Sequence, residues 1–183
     1  ECVRVLLEKG AHVHGSNELS DHAISRAANV EIVRLLANAG ADLDYEDGEG
    51  YTLLKRVAED GREDMVQTLL ELGAAPDASR LNDTPLRVAV REDELGVVKL
   101  LLKAGADPNM RTLADDWYPL QDVKSAETLR VLLDAGADPS YKDYFGRKPV
   151  DHHTDAEIIM MLEQAEQQTT GRTGKAQSRK KRK

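Results

Sequence analysis

Five histidines, one cysteine and 33 Asp or Glu are the residues of this 183-residue chain that could hold a metal, attack a carbonyl or move a proton. Four of the histidines form two close pairs, His12 with His14 and His152 with His153. A metal site needs three or four convergent ligands, so solvated or packing histidines are expected, with no metal. The single cysteine, Cys2, excludes an intramolecular disulfide and every multi-cysteine zinc site. A reactive thiol needs an electropositive, partly exposed setting, and Cys2 is instead expected to be a small core residue. No Gly-rich phosphate loop follows a strand, and no Ser or Cys nucleophile motif is present. The chain therefore predicts no catalytic residue, no cofactor and no enzyme activity. The longest apolar run is the five residues Ile158 to Leu162, too short for a membrane span or a signal-peptide core. No membrane partner is expected.

What remains is recognition, and the elements that position it are repetitive. A Val/Leu-rich helical stretch followed by Gly-Ala recurs, ending at Gly10, Gly40, Gly73, Gly105 and Gly136, with spacings of 30, 33, 32 and 31. In Val97 to Gly105 the apolar residues cover one wide helical face, and the glycine is placed to terminate the helix in the left-handed conformation. A loop of about ten polar residues follows. Then comes a second phrase, as in Tyr51-Thr52-Leu53-Leu54, Thr84-Pro85-Leu86 and Tyr118-Pro119-Leu120, where Thr is a good N-cap and Pro suits the first turn. Each unit is thus a loop, a short helix, a turn and a second helix. So small a pair cannot bury its own apolar face and must stack on its neighbours.

This pattern resembles the ankyrin repeat, with its Thr-Pro-Leu-His-x-Ala signature and Gly-Ala-Asp ending. The resemblance implies an all-α solenoid of stacked helix-turn-helix units with finger loops, over residues 1–168: a partial unit 1–21, units near 22–51, 52–83, 84–117 and 118–147, and a short cap 148–168. Glu1 to Gly10 reads as only the second helix of its unit, so a chain truncated at its N-terminus is expected. Cys2 falls in register with Val33 and Val66 and reads as a core residue. The units beginning near His22, Tyr118 and Lys148 lack about three residues between their helices, so their first helices should be short. Ser25, Lys55, Arg87, Gln121 and Asp151 stand where the family has a histidine that ties neighbouring loops together; its absence predicts cooperative but modest stability. Leu101, Asp107 and Asn109 also resemble the context in which ankyrin loops are hydroxylated on Asn, with Pro108 in place of Val.

The resemblance implies partner binding at finger tips and on the exposed side of the first helices. All seven aromatic residues lie in or just after the fingers, and Tyr and Trp are favoured at binding hot spots. Tyr45, Trp117, Tyr141, Tyr144 and Phe145 are the candidates; Tyr51 and Tyr118 are expected to pack. On the first helices, Arg26, Lys55, Arg56, Arg87 and Arg91 predict a basic groove in the N-terminal half. The expected partner is a protein or peptide with an acidic segment, bound by a monomer. Net charge is −8, but residues 172–183 hold seven Lys or Arg and no acid, leaving a body of −15. Residues 169–183 are expected to be disordered. Arg179, Lys180, Lys181, Arg182 and Lys183 could form a targeting signal or a weak, salt-dependent nucleic-acid contact. A cytoplasmic location is expected, with the tail as a route to the nucleus. The alternatives are a nucleic-acid-associated factor using the tail, or a regulatory or targeting segment of a larger protein.

Overall fold

The computed structural model describes residues 2–14, 22–78, 83–111 and 117–180. Among these the elements are helical, with no strand: α1 Cys2–Glu8, α2 Val30–Asn38, α3 Leu53–Glu59, α4 Glu63–Glu71, α5 Pro85–Glu92, α6 Leu95–Lys103, α7 Ala126–Asp134 and α8 Ala156–Lys180. Three 3-10 helices, Ala23–Arg26, Pro119–Gln121 and Pro149–His152, complete the set. They are the first helices of the three short units. With three residues fewer before the next helix, the chain forms one tight turn where the longer units form two turns of α-helix.

Local chemistry sets the boundaries. The hydroxyls of Thr52 and Thr84 accept the backbone N–H of Lys55 and Arg87, and Asn29 and Ser125 cap α2 and α7 in the same way. Pro85 occupies the first turn of α5. The outer helices end at the recurring glycines, which have φ between +85° and +98°; there a Cβ would meet the following carbonyl.

Two layers result. The inner row stacks Ala23–Arg26, α3, α5, Pro119–Gln121 and Pro149–His152, and the outer row stacks α1, α2, α4, α6, α7 and α8. The core runs between them. Ile24, Leu54, Leu86 and Leu120 come from the inner row, and Leu36, Leu69, Leu101, Leu132 and Leu162 from the outer, all at most 3% exposed. Burying each contributes about 1.5–3 kcal/mol.

The acidic loops tie units together. Asp44 accepts the N–H of Ala75, Asp77 that of Asp107, and Asn109 that of Asp138, at 2.8–3.2 Å. The Asn109 amide also donates to the Gly136 carbonyl. At three of the positions where the family has a histidine, the side chain bonds the backbone three residues earlier in its own unit. Ser25 donates to the His22 carbonyl, Gln121 accepts from Tyr118 N–H, and Asp151 accepts from Lys148 N–H. Arg87 supplies the link to the next unit through Asp122.

Two expectations are corrected. Cys2 is exposed, whereas Val33 and Val66 are fully buried; no first helix of its own unit lies among the described residues to cover it, and Val5 and Leu6 are exposed on the same helix. The last helix runs to Lys180 instead of giving way to disorder at residue 169. No proline lies between Ala156 and Lys180 to interrupt the helix.

Candidate functional site

The last finger, between α7 and Pro149–His152, is built around one carboxylate. Asp143 accepts the backbone N–H of Phe145 at 2.9 Å and of Arg147 at 2.8 Å, and the Arg147 side chain closes on it at 2.9 Å. His152 Nε2 lies 3.1 Å from the carboxylate oxygen that Arg147 Nε also meets. Main-chain bonds from Asp143 N–H to the Arg147 carbonyl and from Gly146 N–H to the Asp143 carbonyl complete a tight turn, with Gly146 at φ +78°. The Asp143 side chain is wholly buried. Burial acts to raise its pKa, but the Arg147 backbone and side-chain bonds and the Phe145 N–H outweigh that and hold it below the usual carboxylate value.

This turn leaves Tyr144 and Phe145 outside, 81% and 75% exposed, edge to face at 5.5 Å. The Arg147 guanidinium lies 5.1 Å over the Phe145 ring. Tyr141, 41% exposed, stacks on Tyr118 at 5.1 Å. Trp117 meets the edge of His152 at 4.9 Å and lies under the Arg87 guanidinium at 5.4 Å. Trp117 is therefore part of the wall behind the finger, half-buried rather than projecting.

The finger at residues 41–51 repeats the geometry with other chemistry. Asp47 accepts from Glu49 N–H, Tyr51 N–H and the Arg56 side chain. Burial acts to raise its pKa, and these three bonds lower it further than burial raises it. Its tip carries Glu46 and Glu49 instead of aromatic residues. Tyr45 stacks face to face on His22 at 3.6 Å, as Tyr141 does on Tyr118. His22 and Tyr118 hold the position that Thr52 and Thr84 hold elsewhere, so a ring at that cap receives the next finger's tyrosine. Tyr51 packs under the Lys55 ammonium, 3.6 Å from the ring centre.

The predicted basic groove is different in kind. Arg26 is exposed, but Lys55 and Arg87 are 1% and 5% exposed and do not line an open surface. Burial pushes the Lys55 pKa down, against the attraction of Asp83 and Glu59. Arg87 is held by Asp83 and by Asp122 at 2.6 Å. Burial raises the Asp122 pKa despite that pairing. Arg91 is bonded to Asp83, Glu59 and Glu92, and Arg56 to Asp47 at 2.6 Å. Burial would lower the Arg91 pKa, but these acids raise it. Arg56, Arg87 and Arg91 are thus neutralised by acids from their own and adjacent units, which a count of cations along the first helices does not register.

Asp143 was missed in the sequence, although Asp47-x-x-Gly50 and Asp143-x-x-Gly146 share a pattern that marks the two turns. Asp83, Asp122 and His152 were missed because their partners lie in other units. Among the described residues no three His, Cys, Asp or Glu gather in a geometry that could hold a metal, and no helix is long and apolar enough to cross a membrane. Lys181, Arg182 and Lys183 lie outside the described residues, as does the loop segment 112–116, and the tail reading rests on sequence alone.

Stacked helix pairs with projecting, side-chain-braced fingers define a solenoid repeat protein. Residues 21–112 match the family described as "Ankyrin repeats (3 copies)", and the chain belongs to the ankyrin repeat family. Palmitoyltransferase Hip14 of Drosophila melanogaster is 46% identical over 81 residues, 43% of this chain and 13% of that protein. A putative ankyrin repeat-containing protein of Treponema pallidum (strain Nichols) is 32% identical over 147 residues, 77% of this chain and 48% of the other. The E3 ubiquitin-protein ligase KEG of Arabidopsis thaliana is 27% identical over 164 residues, 78% of this chain and 10% of that protein. The chain thus spans less than half the length of each of these relatives. Ankyrin repeats are a protein–protein interaction fold.

Proposed function

We propose that this chain is a non-catalytic interaction module that binds a partner protein or peptide through its last finger and the aromatic wall behind it. The observation that carries this reading is the pair Tyr144 and Phe145, held out in solvent by the bonds that Asp143 makes beneath them. Large rings that bury much area at little entropic cost are characteristic binding anchors. Both are exposed here on a preorganised turn, which lowers the ordering cost of association. The concave face contributes Arg56 and Arg91, each already engaged by a carboxylate, so its role is orientation more than attraction. Similarity to a palmitoyltransferase and to a ubiquitin ligase supports the module reading, because the chain matches only a small part of each.

The test is affinity capture from the native source with the intact chain and with Tyr141, Tyr144 and Phe145 all changed to alanine. A partner retained by the first and lost by the second is expected. If the two capture the same proteins at equal recovery, the finger is not the binding surface.

A further inference from the structure

We propose that the last finger takes an acidic peptide segment carrying an apolar side chain, the apolar group seated on Tyr144 and Phe145 and the acids facing Lys142 and Arg147. The inference rests on the finger being the binding surface, and it goes further by specifying what that surface selects.

The argument is one of charge placement. The body is strongly acidic, with 18 bases against 33 acids outside residues 172–183. Most of its groove cations are spent on neighbouring carboxylates. The last finger reverses this balance at its tip. From Tyr141 to Arg147 its single acid is Asp143, whose side chain is buried and saturated by donors. Lys142 is exposed and makes no ion pair with any described residue. Arg147 uses its Nε on Asp143 while its side chain stays 45% exposed. Lys142 therefore stands beside two exposed rings without a carboxylate partner among the described residues, and Arg147, paired with the buried Asp143, keeps part of its side chain in solvent.

The equivalent finger near the other end of the array provides the contrast. It has the same braced turn on Asp47, but its tip carries Glu46 and Glu49 and its tyrosine is stacked inward on His22. Two fingers of one geometry thus carry opposite charge, and only the last pairs cations with uncovered aromatic area. An acidic segment is drawn to the last finger and not to the earlier one, which sets the site of a bound chain. Rim charges of this kind act mainly on association rate and salt dependence, while the rings determine how long the complex lasts.

The experiment is selection of a random peptide display library on the intact chain, followed by titration of a selected synthetic peptide with the Lys142→Glu, Tyr144→Ser/Phe145→Ser and Glu46→Lys variants. Lys142 lies outside the Asp143 bonds, so its replacement leaves the turn intact. The expected enrichment is of sequences with Asp or Glu flanking an apolar residue. Lys142→Glu should weaken the peptide about threefold to tenfold and flatten its salt dependence. The double serine variant should weaken it about thirtyfold, and Glu46→Lys should change it less than twofold. Enrichment of basic or uncharged sequences, or binding indifferent to Lys142→Glu, overturns the acidic specificity. If Lys142→Glu has no effect but the serine variant does, the finger remains the binding surface and only the charge selection is wrong. If no peptide is enriched, or the serine variant binds as the parent does, both readings fail.

Discussion

At the residue scale the two turn carboxylates, Asp47 and Asp143, do the same work, and their ionisation is coupled to folding. Each has its pKa depressed by the bonds it accepts, so each stabilises the folded chain only while ionised. A carboxylate with a folded pKa below its unfolded value contributes fully above the unfolded pKa, about 3.9, and loses that contribution as pH falls through the lower folded value. Stability in urea should therefore hold between about pH 7 and 5 as far as these groups are concerned, and fall below about pH 4. Asp47→Asn/Asp143→Asn should be less stable at neutral pH and show a shallower acid loss. An unchanged acid slope in that variant would remove both residues from the account. Arg87 makes a different prediction. Its side chain is 6% exposed and its partner Asp122 is 11% exposed, so Arg87→Ala leaves a carboxylate buried without its counter-charge, costing about 3–5 kcal/mol. Arg87→Met/Asp122→Leu should recover most of the loss. The emission of Trp117, the single tryptophan, should shift in the alanine variant because Arg87 covers its ring.

At the scale of elements, most of the architecture is legible in the sequence. The recurring Gly-Ala marks the outer helices and Thr-Pro-Leu marks the inner ones. The missing residues after His22, Tyr118 and Lys148 mark the three units whose first helix is a single 3-10 turn. The site is less legible. The exposure of Tyr144 and Phe145 is legible, because finger tips project whatever lies behind them. The burial of Lys55 and Arg87 is not, because it is created by Tyr51, Asp83, Trp117 and Asp122, one of which is 35 residues distant. Helical periodicity predicts which side chains face inward only when they are apolar, and a cation buried among acids and rings looks the same as one in water. The terminating glycines offer a clean test of the backbone argument. Gly105 has φ +95°, and apart from its own chain neighbours nothing lies within 4 Å of an added Cβ, so Gly105→Ala costs conformational strain alone, about 1–2 kcal/mol. Gly48 has equal space and no positive φ, so Gly48→Ala should change stability by less than about 0.5 kcal/mol. Chemical denaturation of the two variants checks the pair; equal effects would mean that the glycine at the helix end is not a conformational requirement.

At the scale of the molecule, each helix pair touches only its neighbours, so stability is approximately a sum of unit and interface terms. A central lesion then weakens two interfaces and a terminal one weakens a single interface. Leu101 in α6 is fully buried, and α6 contacts α4, α5 and α7. Leu162 in α8 is 1% exposed, but α8 contacts only α7 and Pro149–His152 strongly. Both substitutions remove the same atoms, and each should cost about 2–5 kcal/mol locally. They should differ in how the loss spreads. Leu101→Ala should accelerate amide exchange on both sides of the break, in α4 and α7, and split the urea transition into two steps as the array uncouples. Leu162→Ala should accelerate exchange in α8 and α7, leave α3 to α6 at the parent rate, and keep a single transition for the remaining units. The distinction bears on binding, because the last finger lies between α7 and α8 and depends on both for its placement. Leu162→Ala should therefore lower the occupancy of any partner held at Tyr144 and Phe145, whereas a stabilising change near α2 should leave it untouched. Uniform exchange acceleration from either substitution would show instead that the array folds as one cooperative unit, and that the finger draws on the stability of every repeat.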